Sequence, residues 1–332
     1  MPRTGRAAPV ASPGVVVEEP GGGRPLEATV RVPGPFDLQQ TLGPLRHGRR
    51  DPCVQADGRL LWRATRTPAG PATQALVADP SAGSVRCFAW GPGAPCALDR
   101  LGALVGADDD TGAFAALLAT RPPGWEVVAP LARRHAGLRI PRSGAVLEAT
   151  VPAVLAQRVT GVEAARSHRE LVAALGEPAP GPRSGLRLPP RPERLAATPV
   201  YGLARFGVER KRAETLRRVA SAAAALEATA TLPGTDGRRR LQAVPGVGPW
   251  TAAEVARVAL GDPDALSVGD FHLPNQVAWS LTGSPRGDDR LMLELLEPWR
   301  GQRGRVQRLL MAGGVTAPKF GPRLPLTSVR DR

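Results

Sequence analysis

The stretch Val244-Pro-Gly-Val-Gly-Pro-Trp250 decides how the second half of the chain folds. Residues 236–243 can form a helix, and residues 245–248 cannot continue it. Pro249 suits the first turn of a second helix, because its missing N–H would be unpaired there anyway. Two helices joined by a glycine-containing turn form a helix-hairpin-helix. The glycines keep side chains away from the turn, so the sequence predicts a hairpin whose N–H groups can bind a phosphate.

One carboxylate stands out downstream of the hairpin. Asp270 ends the loop Ser-Val-Gly-Asp-Phe, about twenty residues after the turn. Two interpretations are open from the residues alone. Asp270 either caps a helix that begins at Phe271, while the hairpin only grips DNA, or it is a reactive group beside the bound backbone.

The hairpin, Trp250 and Asp270 together resemble the helix-hairpin-helix base-excision DNA glycosylases, specifically the AlkA-type 3-methyladenine DNA glycosylases. The resemblance implies that Asp270 is catalytic. It also implies a monofunctional enzyme, because glycosylases that cleave the DNA backbone carry a Schiff-base lysine where this chain has Trp250. No cysteine follows the hairpin, so the iron–sulfur loop of the endonuclease III branch is absent.

Three further stretches support the resemblance, which covers residues 115–312 well and residues 25–114 mainly by pattern. Residues 155–159 (Leu-Ala-Gln-Arg-Val) look like the segment that wedges into the DNA stack, residues 206–213 (Phe-Gly-Val-Glu-Arg-Lys-Arg-Ala) like a family turn into a helix, and residues 298–300 (Pro-Trp-Arg) like the start of the family's last helix. Two positions depart from relatives. Arg158 stands where an apolar wedge is common, and Glu254 where several relatives have a pocket tyrosine.

The family's site implies roles for specific residues. Trp250, Phe271 and Trp299 would line the base pocket, because an electron-rich ring stacks well on an electron-poor purine. The implied DNA contacts are Gln157, Arg158, Lys211, Arg212, Gly246, Val247, Gly248 and Thr251. The resemblance also allows a monovalent cation at hairpin carbonyls near Val244 and Val247. No other cofactor is expected.

The net charge of the chain, like the hairpin, favours a nucleic-acid partner. The chain has 44 Lys and Arg against 30 Asp and Glu, a formal net charge of +14, which favours an acidic partner such as nucleic acid. An arginine-rich composition can also reflect a GC-rich genome, and the only lysines are Lys211 and Lys319. Single basic residues are weaker candidates, among them Arg210, Arg300, Arg303 and Arg305.

The numbers and positions of the cysteines and histidines argue against a disulfide framework and a catalytic zinc site. The three cysteines all lie in the first hundred residues and predict free thiols, and the four histidines lack ligand spacing, so a catalytic zinc site is not expected. No stretch approaches twenty consecutive apolar residues, and the first residues lack the apolar core of a secretory signal. We expect a cytoplasmic monomer that binds double-stranded DNA with damaged bases and no membrane.

The pattern along the chain predicts an α+β protein. A disordered leader (1–24) precedes an α+β domain (25–114) with strands near 27–32, 54–55, 60–64, 73–78 and 84–90, which implies a small antiparallel sheet with helices on one face. An all-α helix-hairpin-helix glycosylase domain (115–312) and a flexible tail (313–332) follow. Residues 145–176 have helical spacing, and the Pro-rich residues 177–191 predict a connector.

These observations predict a monofunctional DNA glycosylase that flips alkylated purines out of duplex DNA and hydrolyses their N-glycosidic bond. Two alternatives stay open. The first is a helix-hairpin-helix damage-binding protein without catalysis or with altered specificity, to which the residues at 158 and 254 point. The second is a backbone-cleaving enzyme, which Trp250 disfavours.

Overall fold

The computed structural model describes residues 23–318. Most of the predicted leader and most of the predicted tail lie outside the described residues. Among those that are described, no helix is long and apolar enough to cross a membrane.

A five-stranded antiparallel sheet forms the N-terminal part, as the alternating sequence predicts. Its strands lie in the order β1-β5-β4-β3-β2. The bounds are β1 Leu26–Arg31, β2 Val54–Asp57, β3 Leu60–Thr67, β4 Gly70–Asp79 and β5 Ser84–Trp90. Helices α1 (Leu38–Leu42), α2 (Ala94–Asp99) and α3 (Leu101–Leu104) flank the sheet and bury Leu42, Leu76, Val85 and Leu101 in its first core.

The other face of the sheet is covered by a segment that the sequence assigned to a connector. Within residues 177–191, β6 (Glu177–Pro178) and β7 (Arg187–Leu188) pair as a short hairpin. Leu186 and Leu188 pack against Trp62 and Trp90, whose rings stack with centroids 5.6 Å apart. The predicted connector therefore also contains a hairpin that the sequence did not predict, and this hairpin covers the apolar outer face of the sheet.

The rest of the chain is helical. The helices are α4 Thr111–Ala119, α5 Trp125–Arg134, α6 Val146–Leu155, α7 Gly161–Leu175, α8 Pro192–Ala197, α9 Val200–Ala204, α10 Arg210–Ser221, α11 Ala223–Glu227, α12 Gly234–Gln242, α13 Pro249–Val255, α14 Leu273–Thr282, α15 Asp289–Leu296 and α16 Arg303–Ala312. One core joins α6, α10 and α13, and another joins α4, α5 and α14 to α16. The predicted domain boundary after residue 114 falls inside α4, whose Phe114 packs in the latter core.

Residues 145–176 form two helices, where the sequence suggested one long run. The break lies at residues 156–160, where Arg158 has a φ of +56°. Thr160 then starts α7 with a capping box, because its side chain accepts from the Glu163 amide while Glu163 accepts from the Thr160 amide. The break turns the Gln157–Arg158 segment into an exposed corner between the two helices.

Helix α6 is fixed at both ends by side chains from other helices. The Glu227 carboxylate accepts hydrogen bonds from the amides of Val146 and Leu147 at 3.0 and 2.8 Å. Burial raises the pKa of Glu227 above its usual value. At the other end, Arg212 donates to the carbonyl of Leu155 at 2.8 Å. These contacts satisfy backbone groups that a helix end leaves unpaired.

Candidate functional site

The hairpin joins α12 to α13 in the predicted form. The Val247 amide donates to the carbonyl of Val244 at 2.9 Å, and Gly246 has a φ of +98°. A Cβ on Gly246 would lie 2.1 Å from Oγ1 of Thr215 on α10, whereas a Cβ on Gly248 would meet nothing within 4 Å. Gly246 is thus required by packing, while Gly248 keeps the outer side of the turn open. The Val247 side chain is buried in the core, so only its backbone faces the turn.

The exposed corner after α6 contacts this hairpin directly. Nε2 of Gln157 donates to the carbonyl of Gly246 at 2.9 Å and to Oγ1 of Thr251 at 2.8 Å. Thr251 is buried, so its side chain holds Gln157 and is not open to a ligand in this conformation. Arg158 is exposed beside this contact. The structure therefore brings the predicted wedge segment and the predicted phosphate-binding turn together.

Asp270 is held by three donors. Its Oδ1 accepts from the amides of His272 and Leu273 at 2.8 and 2.9 Å, and its Oδ2 accepts from Nε1 of Trp250 at 2.9 Å. Asp270 therefore caps α14, which begins at Leu273 and not at Phe271 as the sequence suggested. The capping interpretation and a chemical role are compatible, because a carboxylate has more lone pairs than these three bonds use.

A cavity of about 510 Å³ lies between the sheet and the helical core. Trp250 and Glu254, one turn apart on α13, line it together with Arg63 and Arg66 of β3. Asp270 is therefore bonded to a residue of the cavity wall. The volume is in the range of small-molecule sites in proteins.

Three carboxylates of this wall are bound to fixed donors. Glu254 accepts from Arg257 at 2.7 Å and from the hydroxyl of Ser267. Glu148 accepts from Arg63 at 3.1 Å and from Thr65, and Glu227 caps α6. Glu148 and Glu227 were not predicted as site residues from the sequence. Neither lies in a motif, and their place in the cavity depends on contacts between distant segments.

Two predicted site residues are core residues instead. Trp299 has no exposed surface, its indole N–H donates to the carbonyl of Pro123 at 3.0 Å, and its ring packs 6.3 Å from that of Phe114. A ring sealed in the core cannot stack on a base, so the structure corrects the pocket prediction for Trp299. Arg212 is 5% exposed and donates to Leu155 and Gly207, so it supports the helix ends and does not face DNA. Burial lowers the pKa of Arg212.

The other predicted site residues differ in their exposure to solvent. Phe271 is 78% exposed, packs edge-on against His272 and is not part of the cavity wall. Lys211 is exposed on α10. On α16, Arg305 is buried against Asp109 and Arg303 is paired with Asp264, which removes both from the predicted basic surface. Burial could not be read from residue type in these segments.

Comparisons with known proteins identify the family and the fold of the chain. No protein-family model matches the chain. The chain is 30% identical over 289 residues to the "Probable bifunctional transcriptional activator/DNA repair enzyme AlkA" of Mycobacterium tuberculosis, covering 82% of this chain and 55% of that protein. It is 30% identical over 166 residues to DNA-3-methyladenine glycosylase 2 of Escherichia coli, covering 49% and 57%. The chain thus spans little more than half the length of these curated relatives.

Solved structures share the fold. The 3-methyladenine DNA glycosylase of Archaeoglobus fulgidus superposes with a TM-score of 0.71 at 16% identity, covering 86% of this chain and 97% of that one. The 8-oxoguanine glycosylase/lyase of Clostridium acetobutylicum, in complex with double-stranded DNA, gives 0.67 at 13% identity, covering 88% and 98%. These identities support a common fold only. In its sequence relatives and its fold together, the chain belongs to the AlkA-type helix-hairpin-helix DNA glycosylases.

Proposed function

We propose that this protein is a monofunctional DNA glycosylase that hydrolyses the N-glycosidic bond of alkylated purines in duplex DNA. The observation that carries the proposal is the hydrogen bond between Trp250, a residue of the cavity wall, and Asp270. It couples the group that would contact a base to the group that would stabilise the reacting sugar.

Cleavage of the N-glycosidic bond builds positive charge on the deoxyribose. A fixed carboxylate near the anomeric carbon stabilises that charge and can orient the attacking water. Asp270 suits this role, because its three donors hold it in place before the reaction. A cationic alkylated purine leaves readily, so no general acid is required and one carboxylate suffices.

Access to the bond requires the nucleotide to leave the duplex, at a cost of a few kcal/mol. The amides of Gly246 and Gly248 and the N-terminus of α13 would hold the DNA phosphate. Gln157 and Arg158 would occupy the vacated stack, where a guanidinium can both stack on bases and pair with phosphate. Lys211 would add a charge contact on the same DNA-facing side.

We also propose that a monovalent cation binds at this turn and assists phosphate binding. The Val244 carbonyl accepts one hydrogen bond from Val247 and retains a second lone pair, and the Val247 carbonyl is the other candidate ligand. Such an ion would add positive charge next to the phosphate. The turn's own amides remain the groups that position the DNA.

The base would enter the cavity beside Trp250. Stacking of a cationic purine on an indole is worth about 0.5–2 kcal/mol. Glu254, one turn along α13, adds a carboxylate to the same wall. Phe271 lies next to Asp270 and is exposed, so it could contact the DNA at the mouth of the cavity.

Hydrolysis without backbone cleavage is proposed because a Schiff base needs a lysine amine at the site. Trp250 holds the position where the lyase branch has that lysine, and Lys211 is the single lysine of residues 23–318. Borohydride treatment during turnover is expected to trap no covalent adduct. A trapped protein–DNA complex would overturn the monofunctional assignment.

The central experiment compares Asp270→Asn with a matched capping variant. Asp288 caps α15 by accepting from the Leu291 amide at 2.8 Å, so Asp288→Asn controls for loss of a helix cap alone. With duplex DNA containing methylated purines, Asp270→Asn is expected to release base at least about a hundred-fold more slowly, with DNA affinity retained. Asp288→Asn is expected to stay near the wild-type rate.

The non-catalytic alternative predicts another result. A damage-binding protein would bind methylated duplexes more tightly than undamaged ones while wild type and Asp270→Asn both release no base. Arg158 and Glu254, the two departures from relatives, are the residues that favour this alternative.

A further inference from the structure

A cluster of buried donor groups lies outside the residues proposed for base excision. Asp51 and Cys53, in the loop between α1 and β2, meet His168 of α7, more than a hundred residues later in the chain. One ligand-type atom from each of the three lies within 4.8 Å of the others, and the three residues are 2%, 6% and 5% exposed. The loop packs closely on α7, since a Cβ on Gly48 would lie 2.9 Å from that of Ala165.

In the part of the chain described, one donor of this cluster has no hydrogen-bond partner and another forms no disulfide. Nδ1 of His168 is buried without one. Cys53 is a free, buried cysteine. A buried imidazole nitrogen left unpaired costs about 1–3 kcal/mol, so this arrangement needs an explanation other than packing.

His47 is a candidate fourth donor that lies beside the three, although it is not part of the group whose ligand atoms lie within 4.8 Å of one another. The ring of His47 lies edge-on to that of His168, with centroids 5.0 Å apart. Imidazole binds metals through a ring nitrogen of its neutral form, and each of these two histidines has such a ring. The set then contains one thiol, two imidazoles and one carboxylate.

The neighbouring groups leave these donors available. Asp51 accepts from the amides of His47, Cys53 and Val54, which orients its carboxylate and leaves lone pairs unused. The cations near Cys53 are engaged elsewhere, since Arg63 pairs with Glu148, and Arg187 donates to the carbonyls of Val172 and Gly176.

We propose that His47, Asp51, Cys53 and His168 form a structural zinc site. Sulfur, imidazole and carboxylate donors in a set of four are those that Zn²⁺ takes in closed tetrahedral sites. Binding displaces the Cys53 thiol proton to solvent, and the thiolate and carboxylate then balance the charge of the ion. His47, Cys53 and His168 line the 510 Å³ cavity, which gives the ion a route in.

The ion would join two parts of the fold. Its ligands come from the loop that leads into the sheet and from α7 of the helical part. Zinc would therefore fix the wall of the cavity. This proposal stands apart from the glycosylase proposal, because its readouts are metal binding and stability.

The test uses the full-length protein, dialysed against a chelator and then titrated with Co²⁺. We expect one Co²⁺ per chain, a thiolate-to-cobalt charge-transfer band in the near ultraviolet, and displacement by Zn²⁺ with a rise in Tm. Cys53→Ser should abolish the band, and His168→Gln should weaken binding by at least ten-fold. Cys96→Ser, which removes a half-buried thiol outside the cluster, should change nothing.

A second variant keeps the test decisive if Cys53→Ser fails to fold. The double variant Cys87→Ser/Cys96→Ser leaves Cys53 as the sole thiol, because the chain has three cysteines. The charge-transfer band must survive there. Absence of stoichiometric cobalt or zinc in the wild type would overturn the proposal, as would a band that persists in Cys53→Ser or disappears in the double variant.

Discussion

The indole N–H of Trp250 donates a hydrogen bond of 2.9 Å to Oδ2 of Asp270, across twenty residues of chain. Two backbone amides occupy the other oxygen of the same carboxylate. The indole is thus the one side chain among these three donors. The position of Oδ2 next to this residue of the cavity wall therefore depends on the indole.

Trp250→Phe tests this dependence while an aromatic ring remains in the wall. A hydrogen bond to a charged group contributes about 1.5–3 kcal/mol, so base release is expected to slow by about ten-fold or more. The loss should appear in kcat more than in KM, because an aromatic ring remains where the base is proposed to stack. The matched control is Trp279→Phe, on α14 and outside the cavity wall, which should keep the wild-type rate. Equal rates for Trp250→Phe and wild type would contradict the positioning role.

Alanine substitutions of the two hairpin glycines are expected to have different effects. Gly246→Ala places a methyl against Thr215 at a positive φ and is expected to cost about 1–3 kcal/mol of unfolding free energy. Gly248→Ala meets nothing within 4 Å and should leave Tm unchanged, yet it puts a methyl on the outer side of the turn and should weaken DNA binding. Thermal melts and binding isotherms on the two variants separate the effects. Tight DNA binding by Gly248→Ala would argue against a phosphate contact at this turn.

Arg158 combines an exposed side chain with a strained backbone. Arg158→Gly and Arg158→Ala both remove the guanidinium, but only glycine relieves the φ of +56°. Arg158→Gly is therefore expected to be about 1 kcal/mol more stable than Arg158→Ala. Both should lose DNA distortion to the same extent, measured by the fluorescence of 2-aminopurine next to the lesion. Full distortion by both variants would assign the wedge to another residue.

Lys211 and Arg212 are neighbours with opposite expected roles. Lys211→Ala should leave Tm unchanged and reduce the slope of log Kd against log salt by about 1, as for one lost phosphate contact. Arg212→Ala leaves the carbonyls of Leu155 and Gly207 without their donor and should cost about 1–3 kcal/mol of stability. Its salt slope should match that of wild type. The reverse pattern would return Arg212 to the DNA interface.

Local signals in the sequence were enough for the fold class and the hairpin. Alternating residues predicted the antiparallel sheet, and the glycines and prolines of 245–249 predicted the turn, since backbone preferences act over a few residues. Asp270 was singled out because the chain resembles a family with a catalytic aspartate after the hairpin. Its capping of α14 was one of two interpretations, and its catalytic role stays a prediction.

Burial and distant contacts were beyond the reach of sequence reasoning. Trp299 occupies a motif position but is sealed in a core, and Arg212 lies in a basic run but faces helix ends. Aromatic and basic side chains suit a ligand site or a structural role equally well, and only packing decides between them. The proximity of Asp51 and Cys53 to His168 also depends on tertiary structure. Their spacing in the sequence therefore did not predict a metal site.

The double anchoring of α6 has a mechanical consequence. A side chain that displaces a nucleotide from the duplex experiences an opposing force from the DNA. At the Gln157–Arg158 corner, this force would act on α6, a ten-residue helix roughly 15 Å long. Arg212 donates a hydrogen bond to the C-terminal end of α6, and Glu227 accepts hydrogen bonds from two backbone amides at its N-terminal end. If the proposed wedge is correct, helix α6 would transmit the force of nucleotide displacement into the core of the protein, and the exposed corner would not need to be rigid by itself.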